Sequence, residues 1–309
     1  MGQLIDFSGK VLKKTRPALQ DSDIISLLPR LRNLKGEIIV VNISTKVLED
    51  DELLAKLLRE IVTIKCMGAI VVIVPEINDK INEFCSEAFN IDSQLEHSNF
   101  VDTLNQVDIL DVICKREVID KISNILKSFN SMSMGVSGHN LDIIFPDDVV
   151  NQNQFSFEKQ TKPIYNGISE KKNKKYSIDM LEELLKTDII PIISSTFKIK
   201  NGHTYAIESS LFGSYLSTYL SSLKYVEVYT DEQTIPTSSI YGVERFSTIV
   251  KTGSFDKSAI KIIHAGMEAV KNGVQGTHIL NIKQVSLLEE FCNKSFAGLF
   301  LYDDTLNQL

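Results

Sequence analysis

Two short apolar runs, separated by one long helical pattern, constrain the fold of this chain more than any other feature. Ile38–Ile43 and Ala69–Val74 have the length and composition of buried strands, and Asp51–Met67 between them has helical periodicity. Strands joined in this way form a right-handed β-α-β unit with parallel strands. The turn after the first strand, which contains Ser44 and Thr45, has no glycine, although many α/β proteins bind phosphate at this position.

The alternation of strands and helices continues along the chain and restarts after a polar stretch that ends near Tyr176. We therefore predict a three-layer αβα fold, in which helices cover both faces of a mostly parallel open sheet. The predicted parts are an N-terminal helical extension (1–36), an N-terminal lobe (37–175) and a C-terminal lobe (176–309). The stretch from Thr230 to Gly253 is polar and is predicted to be a mobile loop.

Composition excludes several classes of function. The net charge of −7 argues against nucleic acid as the main partner. No apolar run is long enough to span a membrane, and the N-terminus lacks a secretory signal, so a cytoplasmic protein is expected. The cysteines are far apart among apolar residues and are expected to be buried, reduced thiols. The histidines show no metal-binding spacing, and we predict neither a metal nor a cofactor.

Several phrases resemble, in order and spacing, the amino acid kinase family, especially N-acetylglutamate kinase and the kinase-like domain of N-acetylglutamate synthase. SMGVSGHN resembles the family's Gly-x-Ser-Gly-x-Asp loop, and IIPIISS followed by NGHTYAI resembles its Ile-Pro-Val strand and hairpin. LLPRLRNLKGEIIVV resembles the N-terminal helix and first strand. AVKNGVQGTHIL and SLLEEFCNKSFAGLFL resemble the C-terminal segments. The resemblance covers nearly the whole chain and implies the amino acid kinase fold, with an acyl-amino-acid side in the N-terminal lobe and a nucleotide side in the C-terminal lobe.

The positions that carry phosphoryl transfer in that family are changed here. Its Lys-x-Gly-Gly reads Asn42, Ser44 and Thr45, and its His-Gly-Gly-Gly reads Pro75 to Asn78, with Glu76 where a phosphoryl group should pass. No arginine stands near Phe100–Asp108, where the family binds a carboxylate.

The second half of the family's catalytic machinery is changed as well. The aspartate that organises the catalytic lysines is replaced by Ser210, and neither Lys257 nor Lys261 falls in register with the family's second lysine. We therefore expect no active kinase, with ATP and Mg²⁺ as cofactors only if that expectation fails. The favoured explanation for Ser44 and Thr45 is a structural one, in which they cap the following helix.

The resemblance also implies an arginine site. Arginine-sensitive members of the family bind arginine between the N-terminal helix and the C-terminal segment. The matching candidates in this chain are Arg30, Gly273, His278, Glu290 and Gly298. In the alternative reading, His278 is a core histidine and Glu290 a surface helix residue. If the site exists, Glu290→Ala should weaken arginine binding and leave the fold intact.

The leading hypothesis is a catalytically degenerate, acetylglutamate-kinase-like protein of arginine biosynthesis that binds arginine as a regulatory or assembly subunit. The alternatives are a functional N-acetylglutamate kinase, or the kinase-like subunit of a split N-acetylglutamate synthase, since a fused acetyltransferase domain would need about a hundred further residues. The resemblance implies a homo-oligomer, a dimer or a hexamer formed through the N-terminal helix, and an enzyme of the arginine pathway as partner.

Overall fold

The computed structural model describes residues 33–76, 100–101, 114–141, 177–198, 204–230, 235–292 and 297–305. Its strands are β1 (Ile38–Ile43), β2 (Ile70–Pro75), β3 (Phe100–Val101), β4 (Met132–Ser137), β5 (Ile189–Ser194), β6 (Thr196–Lys198), β7 (Thr204–Ile207), β8 (Lys224–Tyr229), β9 (Ser239–Gly242), β10 (Gly276–Asn281) and β11 (Leu299–Tyr302). Its α-helices are α1 (Thr45–Glu49), α2 (Asp51–Cys66), α3 (Asp120–Ser128), α4 (Ser177–Leu185), α5 (Ser209–Tyr219), α6 (Val243–Thr252), α7 (Lys257–Lys271) and α8 (Leu287–Cys292). A π-helical turn, Cys114–Ile119, leads into α3.

Eight strands form one sheet in the order β4-β5-β2-β1-β8-β10-β11-β9. Every neighbouring pair in this sheet is parallel except β10 and β11. Strands β3, β7 and β6 form a small antiparallel sheet beside it. The prediction of a mostly parallel α/β sheet is therefore confirmed, and the division of the chain into lobes stays a prediction.

Helices cover both faces of the large sheet, which explains why its central strands are continuous apolar runs. Alternate residues of β1 take part in different cores. Ile39 and Val41 pack with the leucines and isoleucines of α2, α3 and α8, whereas Val40 packs with α4, α5 and α7. A third core lies under α6, against α7 and β11. The carboxyl ends of the parallel strands β1, β2 and β8 consequently lie at one edge of the sheet, near the start of α5.

The stretch 230–253 is not a mobile loop throughout, because β9 and α6 lie within it; the apolar residues Val243 and Phe246 of α6 are buried on a helix with an otherwise polar face. The expectation of buried cysteines is wrong for Cys66, which is exposed at the end of α2. The N-terminal extension lies outside the described residues, apart from its last four.

One buried carboxylate connects the first β-α-β unit to the end of the chain. Glu60 of α2 is 7% exposed, and its Oε2 accepts hydrogen bonds from the backbone N–H groups of Leu287 (2.7 Å) and Leu288 (3.3 Å). These groups begin α8, whose first turn has no intrahelical acceptors for them. Burial raises the pKa of Glu60, and the two backbone donors oppose that shift. Helix α8 is thus positioned by a side chain from the N-terminal part of the chain.

We expect Glu60→Ala to lower the free energy of unfolding by about 1–3 kcal/mol, because it leaves buried N–H groups without an acceptor. Glu60→Gln retains an acceptor oxygen and should cost clearly less. Urea denaturation of the wild type and both variants measures the difference. Equal stability of the alanine and glutamine variants would show that these hydrogen bonds contribute little.

Candidate functional site

The positions that the family resemblance assigns to a lysine and an aspartate meet in the structure. Asn42 lies at the carboxyl end of β1, and its Nδ2 donates to Oγ of Ser210 (3.3 Å) at the start of α5. The same amide donates to Oε2 of Glu227 on β8 (2.8 Å). All three residues are buried. A neutral amide and a hydroxyl therefore lie where the resemblance implies an ion pair.

Glu227, which the sequence analysis missed, is a buried carboxyl that the structure favours in its neutral form. The hydroxyl of Tyr225 donates to the carbonyl oxygen of Ser210 (2.7 Å) and also lies within hydrogen-bond distance of Oε1 of Glu227. Tyr225 has one hydroxyl proton for these two acceptors, and its hydrogen bond to Glu227, like those from Asn42 and Ser210, favours the ionised carboxyl and opposes a rise in its pKa. Burial is the larger effect and raises the pKa of Glu227 to about 8, so the neutral carboxyl is favoured at neutral pH. The cluster offers no net positive charge to a phosphate.

The turn after β1 also lacks a place for phosphate. The backbone N–H of Thr45, at the first position of α1, donates to Oε2 of Glu76 (2.9 Å), and the N–H of Ser44 donates to the carbonyl of Val228 (3.0 Å). A carboxylate of the protein itself thus binds at the helix N-terminus, where anions bind in general. The side chains of Ser44 and Thr45 make no hydrogen bond within the described part of the chain, so the expectation that they cap the helix is wrong.

A cavity of about 310 Å³ lies beside this turn, and three of the four charged side chains in its walls are glutamates. Its single lysine, Lys121, donates to the carbonyl of Leu48 (2.6 Å) and forms an ion pair with Asp51 (2.6 Å). The cation is therefore already paired, and the remaining charges in the wall are carboxylates. The cavity is lined by Thr45, Leu48, Glu49, Glu76, Glu117, Val118 and Lys121.

Lys261 is the lysine that approaches the altered Asn-x-Asn-Ala-Asp segment. Its Nζ lies 3.5 Å from Oε1 of Glu208, the residue that precedes α5. Glu208 is almost fully buried, and burial raises its pKa while Lys261 opposes the rise. The ammonium group is thus paired with a carboxylate of the protein.

The structure brings two of the arginine-site candidates into direct contact. Nδ1 of His278 on β10 lies 2.8 Å from Oε1 of Glu290 on α8, and both side chains are fully buried. Oε2 of Glu290 accepts hydrogen bonds from the N–H groups of Ala297 (2.8 Å) and Gly298 (2.9 Å). Glu290 is therefore not the surface residue of the alternative reading. Because Glu290→Ala would leave three donors without an acceptor, it should also disturb the fold, contrary to our expectation.

Lys224, at the start of β8, completes this buried cluster and was also missed. Its Nζ lies 2.9 Å from Nε2 of His278 and over the rings of Phe291 (5.6 Å) and Phe300 (5.2 Å). Burial, and then the neighbouring Lys224, lower the pKa of His278 to about 4, so the ring is neutral. The tautomer that satisfies both contacts has its proton on Nδ1, which donates to Glu290, and accepts at Nε2 from Lys224.

Gly273 and Gly298 are glycines for different structural reasons. Gly273 follows the end of α7 with φ of +102°, a left-handed conformation that favours glycine. A Cβ on Gly298 would lie 2.4 Å from Cδ2 of Leu280 and 2.6 Å from the carbonyl oxygen of Ile279, so only glycine fits beside β10. Arg30 lies outside the described residues.

No group of three or more His, Cys, Asp or Glu side chains in the described ranges is arranged to hold a metal ion. No helix in these ranges is long and apolar enough to cross a membrane.

The raised pKa of Glu227 predicts a specific pH dependence. Between about pH 4.5 and 8, the folded state keeps a proton on Glu227 that the unfolded state has released. The stability that this group contributes is therefore lost as the pH rises through this window, by up to about 1.4 kcal/mol per pH unit. Glu227→Gln, an isostere of the neutral acid, should remove this part of the dependence.

Chemical denaturation at pH 5, 6.5 and 8 measures this difference between the wild type and Glu227→Gln. The exposed Glu182→Gln serves as the matched control and should follow the wild type. A constant difference between wild type and Glu227→Gln across the three pH values would show that Glu227 is ionised in the fold.

Comparisons with known proteins agree with this fold. No family model matches the chain. The acetylglutamate kinase of Campylobacter hominis is 22% identical over 295 residues, which cover 94% of this chain and 98% of the kinase. That of Ruthia magnifica is 23% identical over 283 residues, covering 88% of this chain and 92% of the kinase.

Among solved structures, the N-acetylglutamate synthase from Neisseria gonorrhoeae in complex with coenzyme A and N-acetyl-glutamate aligns over 93% of this chain at a TM-score of 0.70 and 14% identity. This chain spans 64% of the synthase chain. The carbamate kinase of Giardia aligns over 87% of this chain and 99% of its own length at a TM-score of 0.61 and 12% identity. The chain therefore has the amino acid kinase fold and resembles the acetylglutamate kinases in sequence over most of its length.

Proposed function

We propose that this chain is a catalytically degenerate, acetylglutamate-kinase-like protein of arginine biosynthesis, which acts as a regulatory or assembly subunit rather than by phosphoryl transfer. The observation that carries the proposal is the hydrogen bond from the backbone N–H of Thr45 to Oε2 of Glu76, with an N–O distance of 2.9 Å. An anion of the protein fills the position where a phosphate would need an empty donor and a flexible glycine backbone.

The neutral cluster beneath this turn supports the same conclusion. Catalysis of phosphoryl transfer consists mainly of positioning and of neutralising charge on the transferred group. Asn42 and Ser210 supply no charge, and the ammonium of Lys261 is paired with Glu208. Each missing group of this kind typically costs several kcal/mol of transition-state stabilisation.

We expect no acetylglutamate-dependent release of ADP above background, because the charged groups are absent and Glu76 repels a phosphoryl group. A coupled ADP assay with N-acetylglutamate, ATP and Mg²⁺ measures this, with the acetylglutamate kinase of Campylobacter hominis as the positive control. Turnover of about one per second or faster, the range of ordinary kinases, would instead establish a functional N-acetylglutamate kinase.

The resemblance to N-acetylglutamate synthase favours one further alternative, a kinase-like subunit of a split synthase. This chain aligns with the synthase over 93% of its own residues and covers 64% of that chain. In such a complex, the acetyl transfer would belong to a separate partner chain. Co-purification with an acetyltransferase chain would support this alternative over a subunit that regulates another enzyme of the pathway.

For the ligand, we propose L-arginine at the buried His278–Glu290 pair. A guanidinium group matches a carboxylate through two parallel hydrogen bonds, and Glu290 is an ordered carboxylate next to the backbone of Gly298. The ammonium of Lys224 lies at the same cluster, so arginine must displace or rearrange this partly buried side chain. Gly273 and Arg30 complete the proposed site on the strength of the resemblance alone.

Glu290→Gln should weaken arginine binding about ten- to a hundredfold, since it removes the charge while keeping acceptor capacity for the backbone donors. Titration calorimetry measures the affinity. Glu289→Gln is the matched control on the same helix and should bind as the wild type does. No heat with millimolar arginine, or equal affinity of the wild type and Glu290→Gln, would exclude this site.

The proposal includes the assembly that the resemblance implies. A homo-oligomer, dimeric or hexameric through the N-terminal helix, and a partner enzyme of the arginine pathway stay predictions, because that helix lies outside the described residues. A cytoplasmic location is also retained as a prediction.

A further inference from the structure

Three side chains form a row at the amino-terminal ends of β8 and β10. Nζ of Lys224 is 2.9 Å from Nε2 of His278, and Nδ1 of His278 is 2.8 Å from Oε1 of Glu290. Lys224 is the first residue of β8 and lies opposite Gly276, the first residue of β10. Glu227, which lies opposite Asn42, is further along β8 towards its carboxyl end. The row is therefore separate from the altered phosphoryl-transfer site.

The row has the order of an activated nucleophile, its base and a group that orients the base. Glu290 is fixed by the N–H groups of Ala297 and Gly298, so it holds the proton of His278 on Nδ1. Nε2 is then the acceptor that faces Lys224. An amine that donates one N–H to this nitrogen keeps its lone pair available for attack.

The surroundings of Lys224 increase the fraction of its side chain that is present as the neutral amine. The side chain is partly buried between the rings of Phe291 and Phe300, and burial lowers its pKa to about 8, although Glu290 opposes the shift. An ordinary exposed lysine has a pKa near 10.5 and is almost entirely protonated at neutral pH. Desolvation of this kind is a recognised way to make a lysine nucleophilic.

We propose that Lys224 is an acyl-acceptor site, at which His278 and Glu290 assist the attack of the amine on a small activated acyl group. Nζ forms a bond to the acyl carbon, and the bond from that carbon to the leaving sulfur or phosphate oxygen breaks. The proton released by the amine passes to Nε2 of His278 and then to the departing thiolate or phosphate. The product is a neutral amide, and nothing is oxidised or reduced. The inference does not depend on arginine binding or on the absence of kinase activity.

The test compares two lysines within the same sample of the full chain. The protein is incubated at pH 7.5 with acetyl phosphate in one arm and with the thioester S-acetyl-N-acetylcysteamine in the other. Peptide mass spectrometry after Glu-C digestion follows the initial rate of acetylation at each lysine. Lys186, whose side chain is 65% exposed, is the internal control.

We expect Lys224 to react about tenfold faster than Lys186, because its larger fraction of free amine outweighs its lower basicity. If Lys224 reacts faster than Lys186 in only one arm, that arm identifies the preferred acyl donor as an acyl phosphate or as a thioester. Equal or slower reaction of Lys224 in both arms overturns the inference, whatever the variants do.

Two variants test the role of the row. Glu290→Gln and His278→Gln should bring the rate at Lys224 down to that of Lys186 or below, while the rate at Lys186 is unchanged. Circular dichroism verifies that each variant is folded. A folded variant that keeps the full advantage of Lys224 would contradict the assistance by His278 and Glu290, and the wild-type comparison decides the site itself if a variant does not fold.

Discussion

Strand β8 is the constraint on which both clusters of the molecule depend. It lies between β1 and β10 in the sheet and is covered on both faces, yet it carries Lys224, Tyr225 and Glu227. A charged group in such a place must be neutralised, paired or hydrogen-bonded. The parallel register with β1 places Asn42 opposite Glu227, and the register with β10 places His278 within reach of Lys224. The polar chemistry of the fold therefore follows from where this strand lies.

Two helices of this protein begin on carboxylates that the chain itself supplies. Glu76 binds the first N–H of α1, and Glu60 binds the first N–H groups of α8. Both helices are short, with five and six residues. Each carboxylate comes from a different element than the helix that it caps. An internal acid at a helix N-terminus satisfies donors that would otherwise need water or a ligand, and it makes that position unavailable to a phosphate.

The sequence was sufficient for the fold because its information is local. The strand Ile38–Ile43 could be identified from its apolar run, and the family phrases supplied the order of the strands. The resemblance matched Asn42 and Ser210 to two positions of one catalytic site, but their hydrogen bond was not predicted. The roles of Glu227 and Lys224 could not be predicted, because they depend on the register between strands that are distant in sequence. Glu227 is 185 residues from Asn42, and Lys224 is 54 residues from His278. One signal was available: a glutamate within the apolar run KYVEVY is unusual for a central strand.

The capping of α8 by Glu60 has a consequence for how the chain acquires its structure. The two partners are 227 residues apart, and a helix of six residues has little stability in isolation. Contacts between such distant segments carry the entropic cost of closing a long loop and form after local ones. The row from Lys224 to Glu290 is thus assembled only once the chain has been synthesised beyond Gly298. A chain interrupted during synthesis would contain every strand of the first β-α-β unit and still lack this row.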